Sequence, residues 1–219
     1  MLERLQSIRP RLQELARLDP QFQLFGADTH RYQLAPPLAP DKVATFELSH
    51  GVRLPEDYRV FLLAVGSSGA GPYGGLNPPS DFQHLNGLDA GFLSTPFPHR
   101  TAFNRFNAAT YHASSKEEKA VYSKRVEEFE KDEWVYGTLC LSHEGCGMSD
   151  LLIVSGEERG AIWVDDRYNG GGLSPLEPNR TASQSRSRSM FLRVDSARLA
   201  FLDWYEWWLD WSLQEAKAK

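Results

Sequence analysis

Apolar residues recur at steps of three or four along the first 19 positions, at Leu2, Leu5, Ile8, Leu12, Leu15 and Leu18. That spacing places them on one face of a helix. Pro10 falls inside the pattern and is expected to kink or split it, because proline lacks the amide hydrogen and crowds the preceding turn. Residues 19–40 are mixed, with a short strand-like Phe22-Gln23-Leu24-Phe25 and a connector marked by Pro36-Pro37 and Pro40. Asp41 is a good helix N-cap and predicts a second helix over 42–50, carrying Val43, Phe46 and Glu47 and stopped by Gly51. The most regular stripe follows. Pro55 suits a first helical turn, and Glu56 and Asp57 put negative charge where the helix dipole favours it. Tyr58, Phe61, Leu62 and Val65 then fall at i, i+3, i+4 and i+7, with Gly66 as the stop.

Gly69 to Gly75 reads as a turn-rich passage, and 77–113 as irregular chain wrapping the surface. Ser115 and Glu118 form a capping box for a charged, mostly solvated helix over 115–132. The pattern then changes period. Residues 137–142 read as a strand, and 150–155 and 161–165 as two strands joined through the Gly-flanked 156–160. Residues 169–172 make a further turn, 181–189 a Ser/Arg-rich loop, and 190–194 a candidate last strand. A final helix spans 196–215, its apolar side broadened by Trp204, Trp207 and Trp211. Helices, then consecutive strands, then a helix is an α+β order. The expectation is a single domain over 1–219, a mostly antiparallel sheet packed with N-terminal helices and an aromatic-rich C-terminal helix. Residues 1–40 form its helical extension and connector, and 41–213 its core.

Composition narrows the function classes. Of the 219 residues, 41% are hydrophobic and 12% aromatic, enough for a buried core. No run approaches the roughly 18–20 apolar residues of a membrane span. Met1 opens into the charged Leu2-Glu3-Arg4 with no signal-peptide pattern, so a cytoplasmic protein is expected. Two cysteines make no disulfide framework. A net charge of −5 argues against direct nucleic-acid binding and is compatible with a basic protein partner.

Catalytic strings fail on context. Gly69-x-Gly71-x-x-Gly74 matches a dinucleotide-binding pattern, but a helix precedes it and Pro78-Pro79 follows, where a strand and a helix are needed. Gly66-Ser67-Ser68-Gly69 misses the nucleophile-elbow pattern because Ala70 stands last. Cys140, His143 and Cys146 could supply three metal ligands, lacking a fourth unless Asp150 joins. They could also form a Cys–His pair with Glu144 as orienting group. The structural alternative is two small buried thiols beside the Gly145–Gly147 turn. Asp165 and Asp166, adjacent on a strand, point apart and do not chelate. The expectation is therefore no catalytic residue, no metal and no cofactor.

The ordered motifs resemble the SUKH superfamily, which includes yeast cell-wall-synthesis regulators and bacterial toxin-immunity proteins. The resemblance lies in Leu54-Pro55-Glu56-Asp57-Tyr58-Arg59-x-Phe61-Leu62, Gly66, and Gly69-Ala70-Gly71-Pro72-Tyr73-Gly74. It continues through Gly145-Cys146-Gly147, Leu151 to Val154 with Gly156, Gly160-x-Ile162-Trp163-x-Asp165, and Phe201-Leu202-x-Trp204-Tyr205-x-x-Trp208-Leu209. It implies a non-enzymatic binder that neutralises a cognate toxin, often a nuclease, by direct contact. A regulatory or scaffold protein of the same fold, binding a host protein, is the alternative. The motif residues read as structural, so the interface is sought elsewhere: Glu127, Glu128, Glu130, Asp132 and Glu133, with Asp166, Arg167 and Tyr168. For the first five, an ordinary solvated helix face is the competing reading. The charged stretch near 95–134 and the loop 181–189 depart from the compact pattern of the family.

Overall fold

A computed structural model describes residues 1–79, 91–104, 115–129, 131–176 and 198–219. The Ser/Arg-rich loop 181–189, the strand expected over 190–194 and Glu130 lie outside the described residues.

Helix α1 (Leu2–Leu18) runs unbroken through Pro10. Pro10 and Gln6 are both exposed, so the carbonyl that proline leaves without a partner can be met by water and the helix is not split. Residues 22–25 are a turn and not a strand. The Asp19 carboxylate accepts the amides of Gln23 and Leu24, both at 2.9 Å, and the Tyr32 hydroxyl at 2.5 Å. A short helix, α2 (Ala27–His30), follows. Helix α3 (Pro40–His50) starts two residues earlier than an Asp41 N-cap implies. Pro40 occupies its first turn, where the missing amide costs nothing, with Ala39 as N-cap. Helix α4 (Glu56–Ala64) is where the apolar stripe placed it. Its end is sealed by the Arg9 guanidinium, which donates to the Val65 carbonyl at 2.9 and 2.5 Å. Gly66 is not a left-handed cap. A side chain there would run into the Ala35 carbonyl at 2.9 Å, so the glycine allows the connector to lie against the helix end.

The Gly69-x-Gly71-x-x-Gly74 string forms a backbone junction. Gly69 pairs with both Leu34 and Leu76, which ties the connector to the loop. Residues 91–103 are less peripheral than their composition suggested, since Phe92, Leu93 and Phe97 are buried. Helix α5 (Lys116–Phe129) stops short of residue 132, and a single 3-10 turn, Asp132–Trp134, leads into the sheet.

The sheet is an antiparallel meander in the order β1-β2-β3-β4: β1 (Thr138–Gly145), β2 (Met148–Ile153), β3 (Ile162–Asp166) and β4 (Gly172–Pro175). Strand β4 was not expected: the sequence reads a turn over 169–172 and places its last strand at 190–194. The four strands place the β1–β2 and β3–β4 turns at one end of the sheet and the β2–β3 turn at the other.

Helix α6 (Phe201–Ala218) packs against α1 and α4 and meets the sheet where the Trp204 indole donates to Asp150 on β2. It begins at Phe201 because Ala200 is extended and bridges to Ala161. No side chain of its own caps it. Asp57, from the first turn of α4, accepts the Leu202 amide at 3.0 Å and does so from across the core. Phe61, Phe201 and Tyr205 then pack ring against ring at centroid distances of 4.9–6.1 Å. Arg4 reaches Asp203 and Glu206 at 2.6 and 2.7 Å, and Arg11 pairs with Asp210, which fixes how α1 lies along α6. Among the described residues, no helix is long and apolar enough to cross a membrane.

One core group makes stability depend on pH. His30 is 8% exposed, edge-on to Trp208 at 5.7 Å, and its Nδ1 accepts the Tyr32 amide at 3.1 Å. Burial pushes its imidazole from 6.5 down to about 4, against the opposing pull of Asp28. The unfolded chain takes up this proton near pH 6.5, whereas the folded chain resists until about 4. The His30 contribution is therefore intact above pH 6.5 and lost as pH falls toward 4. Urea unfolding of the wild type and His30→Phe, compared at about pH 7.5 and 4.5, should show their stability difference shifting by about 2–3 kcal/mol against the wild type at the lower pH. A pH-independent difference would contradict the assignment.

Candidate functional site

Two sequence-distant groups meet at the end of the sheet that carries the β1–β2 and β3–β4 turns. Arg167, just past β3, joins them. Its Nε and Nη2 fork onto the Asp165 carboxylate, both at 2.8 Å, while Nη1 donates to the carbonyls of Phe129 and Lys131 at 2.9 and 3.0 Å. The carbonyls that end α5 thus gain the charge-assisted partner they lack within the helix. Trp134 completes the joint. Its indole donates to the Glu128 carbonyl at 3.0 Å, and its ring stacks on Phe103 at 5.1 Å.

The joint presents Glu127, Glu128, Asp132 and Glu133 to solvent beside the β3–β4 turn. Tyr168, 69% exposed, projects from that turn. Of the seven described residues among the eight singled out in the sequence, these five are exposed. Arg167 and Asp166 are engaged in holding the scaffold: the Asp166 carboxylate accepts Asn169 Nδ2 at 2.8 Å inside the turn. Asn169 also reaches the Cys146 carbonyl at 2.8 Å, linking the two turns. Gly147 lets them approach. At φ +80° it has a backbone that side chains rarely adopt, and a Cβ there would sit 2.5 Å from the Tyr168 ring.

Cys140 and His143 come closer than strand alternation allows, because a bulge between Cys140 and Ser142 resets the register. The Cys140 sulfur lies 3.9 Å from both ring nitrogens of His143. It is no ready nucleophile. Burial pushes its thiol up to about 12, so it stays protonated at neutral pH. His143 Nδ1 instead contacts the Ser149 hydroxyl at 2.9 Å. The expectation of two buried thiols holds only for the half-buried Cys140, since Cys146 is exposed at the tip of the turn. Among the described residues, no three His, Cys, Asp or Glu groups converge as metal ligands.

Beneath these turns lies a pair of carboxyl groups that the sequence did not single out as a unit. Asp150 on β2 is 1% exposed, and its Oδ2 accepts the Trp204 indole at 3.1 Å. Its Oδ1 is buried without a hydrogen-bond partner among the described residues, and the Glu144 carboxylate on β1 lies near enough to act on it, an arrangement that favours a proton on the pair. Burial raises Asp150 well above the usual carboxylate range, so that residue carries the proton. Glu144 also acts on the Tyr73 hydroxyl, and the Ser142 hydroxyl donates to the Pro72 carbonyl at 2.7 Å, which ties the glycine-rich loop to β1.

At the opposite end, a cleft of ≈ 590 Å³ is lined by Arg4, Glu56, Glu158, Arg159 and Arg198 among others. Its guanidinium groups are engaged. Arg159 donates to the Arg53 and Leu54 carbonyls, Arg198 to Glu158 and the Arg100 carbonyl, and Arg4 to α6. Comparison with family models, with curated proteins and with solved structures finds no match to this chain.

Proposed function

We propose that this chain is an immunity-type protein: it binds a cognate toxin in the cytoplasm and neutralises it by direct contact, using no catalytic group or cofactor of its own. The observation that carries this reading is the set of solvent-facing carboxylates Glu127, Glu128, Asp132 and Glu133, gathered beside the exposed Tyr168 by the Arg167 clasp. A cluster of negative charge with an aromatic anchor suits a basic protein surface, such as that of a nuclease domain. The charges steer encounter and the ring supplies buried contact area. The order of motifs resembling the SUKH superfamily supports the same reading.

Co-expression with the toxin-like reading frame beside its gene tests it. The wild-type chain should restore growth and elute with the toxin as one complex on gel filtration. Growth arrest with no shared elution would count against it, and a neighbourhood with no toxin-like frame would favour a scaffold that binds a host protein.

A further inference from the structure

The exposed face of α6 carries a second aromatic feature, on the same side of the molecule as Glu144. Trp207 and Trp211, one turn apart on α6, are both half-buried, and Trp207 packs against the core. With Trp208, Phe25, Pro72 and Tyr73 they line a hollow of ≈ 20 Å³. The walls are built with care. Phe25 is held 48% exposed, edge-on to Tyr73 at 6.2 Å. Gly26 makes that pairing possible, since a Cβ there would overlap the Tyr73 carbonyl at 1.6 Å.

Size and charge together specify what fits. The space is little more than the roughly 10–15 Å³ one water takes, too small for a leucine or phenylalanine side chain. An ammonium head fits. Aromatic faces carry negative potential and hold cations, most strongly when several rings converge. The surrounding charge has the matching sign. The Glu144 carboxylate acts on the Tyr73 hydroxyl, a wall of the hollow, and the exposed Asp28 on α2, three residues after Phe25, acts on His30. Among the described residues, no Lys or Arg lines the hollow; Arg31 lies 5.9 Å over the Phe22 ring, and Lys219 acts on Asp19.

We propose that this hollow captures a lysine ammonium group of the protein partner by cation–π contact. The partner's identity as a basic protein rests on the function proposed above, but the chemistry of the hollow does not. The site also extends the acidic end: Tyr168 packs on Gly147, that turn leads back to Glu144, and Glu144 to Tyr73. A basic segment could therefore span from the α5 carboxylates to the tryptophans.

The test titrates the full chain with N-acetyl-lysine methylamide while following the indole N–H resonances of Trp207 and Trp211. Both should shift saturably, and the uncharged norleucine analogue at equal ionic strength should leave them in place. Phe25→Ala, a change at an exposed position, should weaken the response by about threefold to tenfold, and Trp211→Leu by at least as much. Equal shifts with norleucine, or none with lysine, would overturn the proposal. A stronger response to the arginine analogue would overturn the ammonium assignment. Because this test uses no toxin, its failure is separable: a toxin complex untouched by Phe25→Ala sinks the hollow alone, and lysine capture without any toxin complex sinks only the immunity reading.

Discussion

Trp204→Ala should lower the unfolding free energy by about 3–5 kcal/mol from lost packing, before any polar penalty is counted. The ring is 1% exposed and packs on Phe201 at 5.8 Å. Its indole is also the donor to Asp150 Oδ2, and stranding a buried carboxyl oxygen costs about a further 1–3 kcal/mol. Such a loss is a large part of the roughly 5–15 kcal/mol that holds a domain together, so the variant should unfold at much lower urea or fail to accumulate. Trp204→Phe separates the two contributions. It retains most of the ring volume and loses the donor, and a cost of about 1–3 kcal/mol is expected. Urea melts of both variants provide the measurement. An alanine variant within about 1 kcal/mol of wild type would mean that Trp204 does not anchor α6 to the sheet.

The second large effect belongs to Arg167. Its side chain is 10% exposed and its partner Asp165 17%, so the pair is shielded from solvent screening far more than a surface bridge. Arg167→Ala leaves the Asp165 carboxylate without its cation and the Phe129 and Lys131 carbonyls without their donor. A loss of about 2–4 kcal/mol is expected, little affected by salt. The damage should be local. Amides of α5 and of the 3-10 turn should exchange hydrogen much faster, while those of β1 and β2 change less. Arg167→Lys should recover under half of the loss, since one ammonium cannot fork onto a carboxylate and reach two carbonyls at once. Uniform loss of protection across the molecule, or full rescue by lysine, would contradict the clasp.

How far the sequence reveals this molecule depends on where each determinant lies. The stripe Tyr58, Phe61, Leu62, Val65 is complete within one segment, and α4 appears where it predicts. The hairpin around 156–160 is likewise local, its turn residues adjacent to its strands. Strand β4 was not legible. Gly172-Leu173-Ser174-Pro175 has four residues and little strand character, and it becomes a strand through pairing with β3 and with Phe103. Pro10 does not split α1, because at this exposed position water can take the hydrogen bond that the Gln6 carbonyl loses.

The candidate site divides in the same way. The charged run 127–133 and the Asp166-Arg167-Tyr168 string were visible as composition. That Arg167 would bind the main chain at the end of α5, 36 and 38 residues earlier, could not be read from either segment alone. The Glu144–Asp150 pair was hidden for a related reason. Asp150 sits in a strand pattern as an ordinary polar residue, and only Trp204, 54 positions later, shows that it is buried. One signal could have exposed it: an acidic residue directly before the apolar run 151–154 must either face water or find a donor.

The affinity between this chain and the product of any toxin-like reading frame adjacent to its gene, measured by calorimetry, tests the central claim most directly. The same measurement is made on a chain carrying Glu127→Lys, Glu128→Lys, Asp132→Lys and Glu133→Lys, all at exposed positions. We expect a one-to-one complex with the wild type and a weakening of at least about a hundredfold with the charge-reversed chain, whose unfolding should be nearly unchanged. A wild-type chain that does not bind, or a charge-reversed chain that binds as tightly, would contradict the account.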